Sequence, residues 1–210
     1  MRTLRPWLCS LASVAAIGAP SPGSAQVRTD LGPVLAAYAP LGHFAQLYSP
    51  ILPSTPGALG ALAWGAQGRL WLNPRFAVQL QASVASSRWH EQLTYPEGPG
   101  EVVISAQVLT ATAAVLYRAG AGRVAPWLSA GAGVLRHGGQ AYADAGIGAP
   151  VSAAGTMGLG LDFGALGHLT ATADVSGLFY WFNASDREGT VQHGFQTDLM
   201  AHIAILWRLR

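Results

Sequence analysis

GTMGLGLDFGALGHLTATADVSGLFYWF, residues 155–182, is the stretch on which the fold turns. Its residues alternate. Met157, Leu159, Leu161 and Phe163 are large and apolar, and Thr156, Gly158, Gly160 and Asp162 between them are small or polar. A glycine-bounded turn follows at 164–167. The alternation then resumes, with Leu169, Ala171, Ala173, Val175, Phe179 and Trp181 on one face and His168, Thr170, Thr172, Asp174, Ser176 and Tyr180 on the other. A period of two separated by a glycine turn predicts a β-hairpin. Each apolar face is long, carries no charge, and has aromatic residues near its ends. That is the pattern of a strand facing lipid on one side and a polar interior on the other.

Outward from this hairpin the same grammar repeats. The sequence predicts eight strands: 29–40, 58–72, 76–88, 101–117, 125–136, the two of the hairpin, and 193–210. In 58–72, Leu62, Trp64, Ala66, Leu70 and Leu72 oppose Gly65, Gln67 and Arg69. In 76–88, Phe76, Val78, Leu80, Ala82 and Val84 oppose Gln79, Gln81 and Ser83. The strand 101–117 is Ala, Thr and Val on both faces, so its parity is open. Long loops (41–57, 89–100, 138–151, 183–192) alternate with short turns such as Asn73-Pro74-Arg75. Short turns at one end and long loops at the other are the asymmetry of outer-membrane barrels. The aromatics predict two interfacial girdles: Phe76, Tyr117, Trp127, Phe163 and Trp207 at the short-turn end, and Trp64, Phe179, Trp181 and Phe195 at the long-loop end.

Composition agrees. Half of the 210 residues are hydrophobic and a tenth are charged. The one long apolar run is N-terminal: Arg2 and Arg5, then an apolar stretch from Trp7 to Ala19, then Gly23-Ser24-Ala25. Residues 1–25 read as a secretory signal peptide and 26–210 as the barrel. The sole cysteine, Cys9, lies in the leader, so the mature chain is expected to hold no disulfide and no cysteine metal site. Loss of Arg2 and Arg5 takes the formal charge from +2 to zero, and nothing in the basic pI argues for nucleic acid.

With this leader, the glycine-rich strand at 155–164 and the final strand 198–210, the chain resembles the small eight-stranded outer-membrane β-barrel proteins, the OmpA-transmembrane-domain, OmpX and OmpW-like group. The resemblance implies an all-β, antiparallel, up-and-down transmembrane barrel in the bacterial outer membrane. It implies contact with outer-membrane lipid, lipopolysaccharide and the barrel-assembly machinery. The group's last strand usually ends on an aromatic residue. Here Trp207 is followed by Arg208-Leu209-Arg210.

An eight-stranded barrel is just wide enough for its own side chains to fill it. The inward set predicted as a polar plug is Gln67, Arg69, Gln79, Gln81, Asp162, Asp174, Gln196, Asp198, His202 and Arg208. If Trp181 lies opposite Phe195, counting down the last hairpin puts Asp174 opposite His202. Two sharper chemistries stand beside this plug. His43, His90, His137 and His193 each lie where a strand meets a different long loop, and neutral imidazoles there could hold a transition metal. Ser185, His193, Asp186 and Glu188 could form a nucleophile, base and orienting acid if folded together. Asn183-Ala-Ser185 formally matches a glycosylation acceptor, which means nothing in the bacterial outer membrane that the resemblance implies. The reading adopted assigns no catalytic residue, cofactor or metal. It expects a monomeric, non-enzymatic barrel with an envelope-structural or surface-interaction role. The alternatives are a barrel binding or passing a small hydrophobic molecule, a lipid-modifying enzyme, and a secreted soluble barrel with its apolar face inside.

Overall fold

The structure, a computed structural model, describes residues 28–41, 54–58, 60–95, 98–120, 122–144, 146, 149–164, 167–185 and 191–209. The leader and His43 lie outside them. The strands are β1 (Arg28–Pro40), β2 (Ser54–Ala58), β3 (Ala61–Trp71), β4 (Phe76–Tyr95), β5 (Gly98–Arg118), β6 (Val124–Gly138), β7 (Val151–Gly164), β8 (Leu169–Ser185) and β9 (Val191–Leu209), with one short helix, α1 (Gln140–Asp144).

Every strand pairs antiparallel with its neighbour, β1 pairs β9, and the β4–β5 ladder closes the ring. The result is eight staves in up-and-down order. β2 is not a ninth stave. It pairs Trp89–Leu93 of β4, above the Ala77–Ala85 segment that pairs β3, and so prolongs the β3 side of the wall upward. Full closure leaves no sheet edge to be satisfied by lipid, which cannot hydrogen-bond.

The alternation seen in the sequence is the alternation of the wall. Met157, Leu159, Leu161 and Phe163 of β7 face out, as do Phe76 and Leu80 of β4, while Gln79 and Ser83 face in. Leu80 is 58% exposed and Leu62 of β3 69%. A soluble barrel would turn these residues inward, so the soluble reading is excluded. An apolar band this continuous is stable only against hydrocarbon. The open parity of β5 resolves with Ala106, Val108, Thr110, Ala114 and Leu116 inward.

The tight curvature needs inward residues without side chains at particular points. A Cβ on Gly32 of β1 would stand 1.8 Å from the Ile205 carbonyl oxygen, and one on Gly131 of β6 would stand 2.1 Å from that of Ala113. Both glycines let one strand bend onto the next. At the short-turn end, Asn73 Oδ1 accepts from the backbone N–H groups of Arg75 and Phe76, both at 2.9 Å, and fixes the β3–β4 turn.

Three features depart from the expected layout. The loop expected at 89–100 is strand: β4 and β5 stay paired up to Tyr95 opposite Gly98. β-branched and aromatic residues such as Trp89, Val102, Val103 and Ile104 carry the ladder on. At about 3.3 Å per residue and with the tilt of barrel strands, the 20 residues of β4 rise roughly 50 Å, well beyond the hydrocarbon thickness of about 30 Å, so the upper part of this hairpin stands outside the membrane. The loop at 138–151 contains α1, where no helix was expected. The strand expected at 58–72 is interrupted between β2 and β3.

Candidate functional site

The interior is filled in three layers. The lowest is ionic. Asp162 on β7 receives Arg69 from β3 at 2.6 Å, Arg118 from β5, and the indole N–H of Trp127 from β6 at 3.1 Å. Arg69 also donates to Gln79 Oε1 at 2.9 Å and Thr172 Oγ1 at 3.2 Å, and lies 4.8 Å over the Trp127 ring. The Gln67 amide is 3.0 Å from Gln79 Oε1. Just below, Asp30 of β1 accepts from Arg28 at 2.6 and 2.8 Å and from the Trp71 indole at 2.7 Å. Arg28 and Arg118 flank the Trp71 ring, 5.3 and 4.2 Å from its centroid. Each cation therefore meets a carboxylate, an aromatic face, or both, as burial of charge demands.

The middle layer is a hydrogen-bonded belt. The last hairpin's register sets Trp181 opposite Phe195 and Asp174 opposite His202. His202 Nδ1 lies 2.7 Å from Asp174 Oδ1, and His202 Nε2 lies 2.7 Å from Gln81 Nε2. With the Gln81 amide donating to Nε2, the ring proton on Nδ1 goes to the carboxylate. Ser83 and Thr110 hydroxyls bond across β4 and β5 at 2.7 Å. The cavity among Gln79, Gln81, Thr112, Asp174 and Ser176 is about 20 Å³, room for a single water.

The upper layer is aromatic around one carboxylate. Asp198 Oδ2 accepts from Tyr38 at 2.7 Å and from Tyr180 at 3.0 Å. Tyr180 in turn is 3.3 Å from His137 Nε2. The His137 ring packs against Tyr142, Tyr180 and Phe182, edge-on to the last. Leu135, Leu178 and Met200 fill the remaining space. Tyr142 comes from α1, which lays its buried Ala141 and Tyr142 over this cluster. Burial raises the Tyr142 hydroxyl well above the ordinary phenol range, with Asp198 adding to the shift.

Of the ten residues expected in the plug, Gln67, Arg69, Gln79, Asp162, Asp174, Gln196, Asp198 and His202 are buried inside the barrel, and Gln81 is half-buried. Arg208 is a correction. It shares the inward parity but is exposed, because β9 ends one residue later at the open mouth. Trp127 is a larger one. It was expected in the lower girdle and is inside, 2% exposed. The cause is complementarity across the β6–β7 ladder: Trp127 stands opposite Gly160, and a Cβ there would lie 2.5 Å from its ring. The other expected girdle residues, Trp64, Phe76, Tyr117, Phe163, Phe179, Trp181, Phe195 and Trp207, face outward.

His43 lies outside the described residues, and the backbone register places His90, His137 and His193 on β4, β6 and β9, strands that do not pair with one another. His137 is wholly buried in the upper lumen. His90 lies opposite Gly57 and Val103, and His193 opposite Asn183, by backbone register. No group of three or more metal-ligating side chains forms among the described residues. Ser185 is opposite Val191, two steps from the His193 pair, and Asp186 and Glu188 lie outside the described residues. The residues that sequence reasoning missed are the inward aromatics Tyr38, Trp71, Tyr142 and Phe182. The parity of 155–182 carries the last of them.

No protein-family model and no curated protein matches the chain. Solved structures do. Outer membrane protein OprG from Pseudomonas aeruginosa superposes with a TM-score of 0.62 at 12% identity, over 90% of this chain and 98% of that one. Outer membrane protein AlkL, in lipid bilayers, gives 0.58 at 14% identity, over 92% and 95%. Neisserial surface protein A gives 0.50 at 11% identity, over 84% and 96%. At such identities the likeness is one of fold. The chain thus has the fold of the eight-stranded β-barrels of the bacterial outer membrane, and its unbroken outward apolar band sets it in that membrane.

Proposed function

We propose that this chain is a non-enzymatic, closed barrel that works as a monomer, with its outer surface and its projecting strands rather than its lumen as the working parts. The observation that carries this reading is the three-layer filling of the interior, around a cavity of only about 20 Å³. A solute path would need water along those layers, and charges of both signs in the lowest one would bind neither cations nor anions selectively. The rival in which a small hydrophobic molecule enters the upper barrel needs apolar space there. That space is taken by Leu135, Leu178, Phe182 and Met200. The Asp174–His202 pair has an amide, not a hydroxyl, at its second ring nitrogen, which supports a packing role over a nucleophilic one. The β4–β5 hairpin, flanked by β2, offers an arm for contacts at the cell surface.

Planar-bilayer recording tests the proposal. Purified barrel should give at most small, rare openings. Large steady currents, in proportion to the barrels inserted, would contradict it.

A further inference from the structure

The outer wall carries two cavities, one above the other, that share Leu109 and Arg136. The upper, about 380 Å³, lies between the wall and α1 and is lined by Gln107, Arg136 and Tyr142. The lower, about 420 Å³, is apolar, walled by Trp64, Val84 and Val134 and floored by small residues such as Ala111. The ladders explain the column. Trp64 pairs Val84, Val84 pairs Leu109, and Leu109 pairs Arg136, so one row crosses four staves on the outward face.

Arg136 is out of place on a lipid-facing wall unless it sits at headgroup depth. It lies twelve residues along β6 from Val124, which with the tilt of barrel strands is roughly 30 Å above the short-turn end. That is the outer interface, where an outward arginine costs little. It forms no ion pair among the described residues, the exposed Asp144 of α1 included. Arg88 of β4 faces out at the corresponding height, twelve residues along from Phe76, opposite Ser105 on the far side of β5. Arg136 thus stands over an apolar groove with Arg88 flanking it across β5, and neither is ion-paired among the described residues.

We infer that this column is a binding site for a phosphorylated, acylated glycolipid of the outer leaflet, the lipid A part of lipopolysaccharide. An acyl chain lies in the groove between Trp64 and Val134. A phosphate meets Arg136, whose planar fork binds phosphate oxygens two at a time. Arg88 meets the second phosphate. The inference rests on the proposed reading only in taking the long-loop end as the outer one.

The test is native mass spectrometry of the barrel released from phosphatidylcholine vesicles doped with bisphosphorylated lipid A. Wild type should retain one lipid A. Arg136→Gln should cut retention at least tenfold, and Arg88→Gln less. Ala111→Trp, which fills the groove without touching a charge, should also reduce it. Arg75→Gln, on a short turn, should not. Lipid A stripped of phosphate should be retained weakly. Retention unchanged by Arg136→Gln, or equal retention of stripped lipid A, overturns the inference. Equal competition by phosphatidylglycerol overturns the choice of lipid A. The band shift between unheated and boiled samples shows that each variant is folded. A folded barrel that stays non-conducting yet retains no lipid A defeats this inference alone.

Discussion

The lower and upper halves of the lumen fill a cylinder of the same width by opposite means. Below, five long cationic or aromatic side chains, Arg28, Arg69, Arg118, Trp71 and Trp127, are drawn onto two carboxylates, Asp30 and Asp162. Above, one carboxylate, Asp198, is held by two phenols inside an apolar packing of Leu, Met and Phe. The difference teaches which half depends on charge balance. Asp162 is ion-paired with two guanidinium groups at once, whereas Asp198 has no cation among its hydrogen-bond partners.

Replacing each acid by its amide gives the largest contrast. Asp162→Asn strands Arg69 and Arg118 and should destabilise the barrel by about 3–5 kcal/mol, the usual result of breaking a buried pair from one side. Asp198→Asn keeps an oxygen for the phenols and should cost about 1 kcal/mol. Urea unfolding in lipid bilayers measures both. Equal losses would erase the distinction between the halves.

The contrast between wall faces comes next. Leu80→Arg puts a charge into hydrocarbon and should lower folding stability by about 2–4 kcal/mol if it lies near the midplane. Gln81→Arg, one residue on and facing the polar middle layer, should cost less. The smallest effect belongs to the layer between the two halves. A double-mutant cycle of Asp174→Asn and His202→Gln should show a coupling of about 1 kcal/mol. No coupling would mean that the 2.7 Å contact carries no stability.

Much of this was legible in the sequence because a strand's faces are written with a period of two. Where large apolar and polar residues alternate, as in 155–163 or 76–84, the faces follow directly. The Asp174–His202 pair followed too, because a hairpin fixes register once one pair across it is known. Trp127 was misplaced because β6 reads Ser129, Ala130, Gly131, Ala132, Gly133, which gives its two faces the same chemistry. Its direction was still recoverable through the ladder. Asp162 faces in and stands opposite Ala125, so the odd-numbered residues of β6 face in as well. The upper cluster was harder. Tyr142 reaches it from a single-turn helix in a connection, and no period in the sequence announces that. The long β4–β5 arm reads as a loop in sequence because Pro96, Gly98, Pro99 and Gly100 look like punctuation, although pairing runs on as far as Tyr95 opposite Gly98.

The central claim is that the lumen is filled. Cys9 is the only cysteine, so a chain starting at Gln26 has none and a single introduced thiol can be read without background. Thr172, buried beside Arg69 in the lowest layer, is the position to use, with Arg208 at the exposed mouth as the control. Barrels folded in lipid vesicles and carrying Thr172→Cys or Arg208→Cys would be exposed to a membrane-impermeant maleimide on both sides. A filled lumen predicts rapid labelling at 208 and none at 172 until the barrel is unfolded. Labelling at 172 at a rate approaching that at 208 would mean that water and solutes pass where Arg69, Asp162 and Trp127 meet.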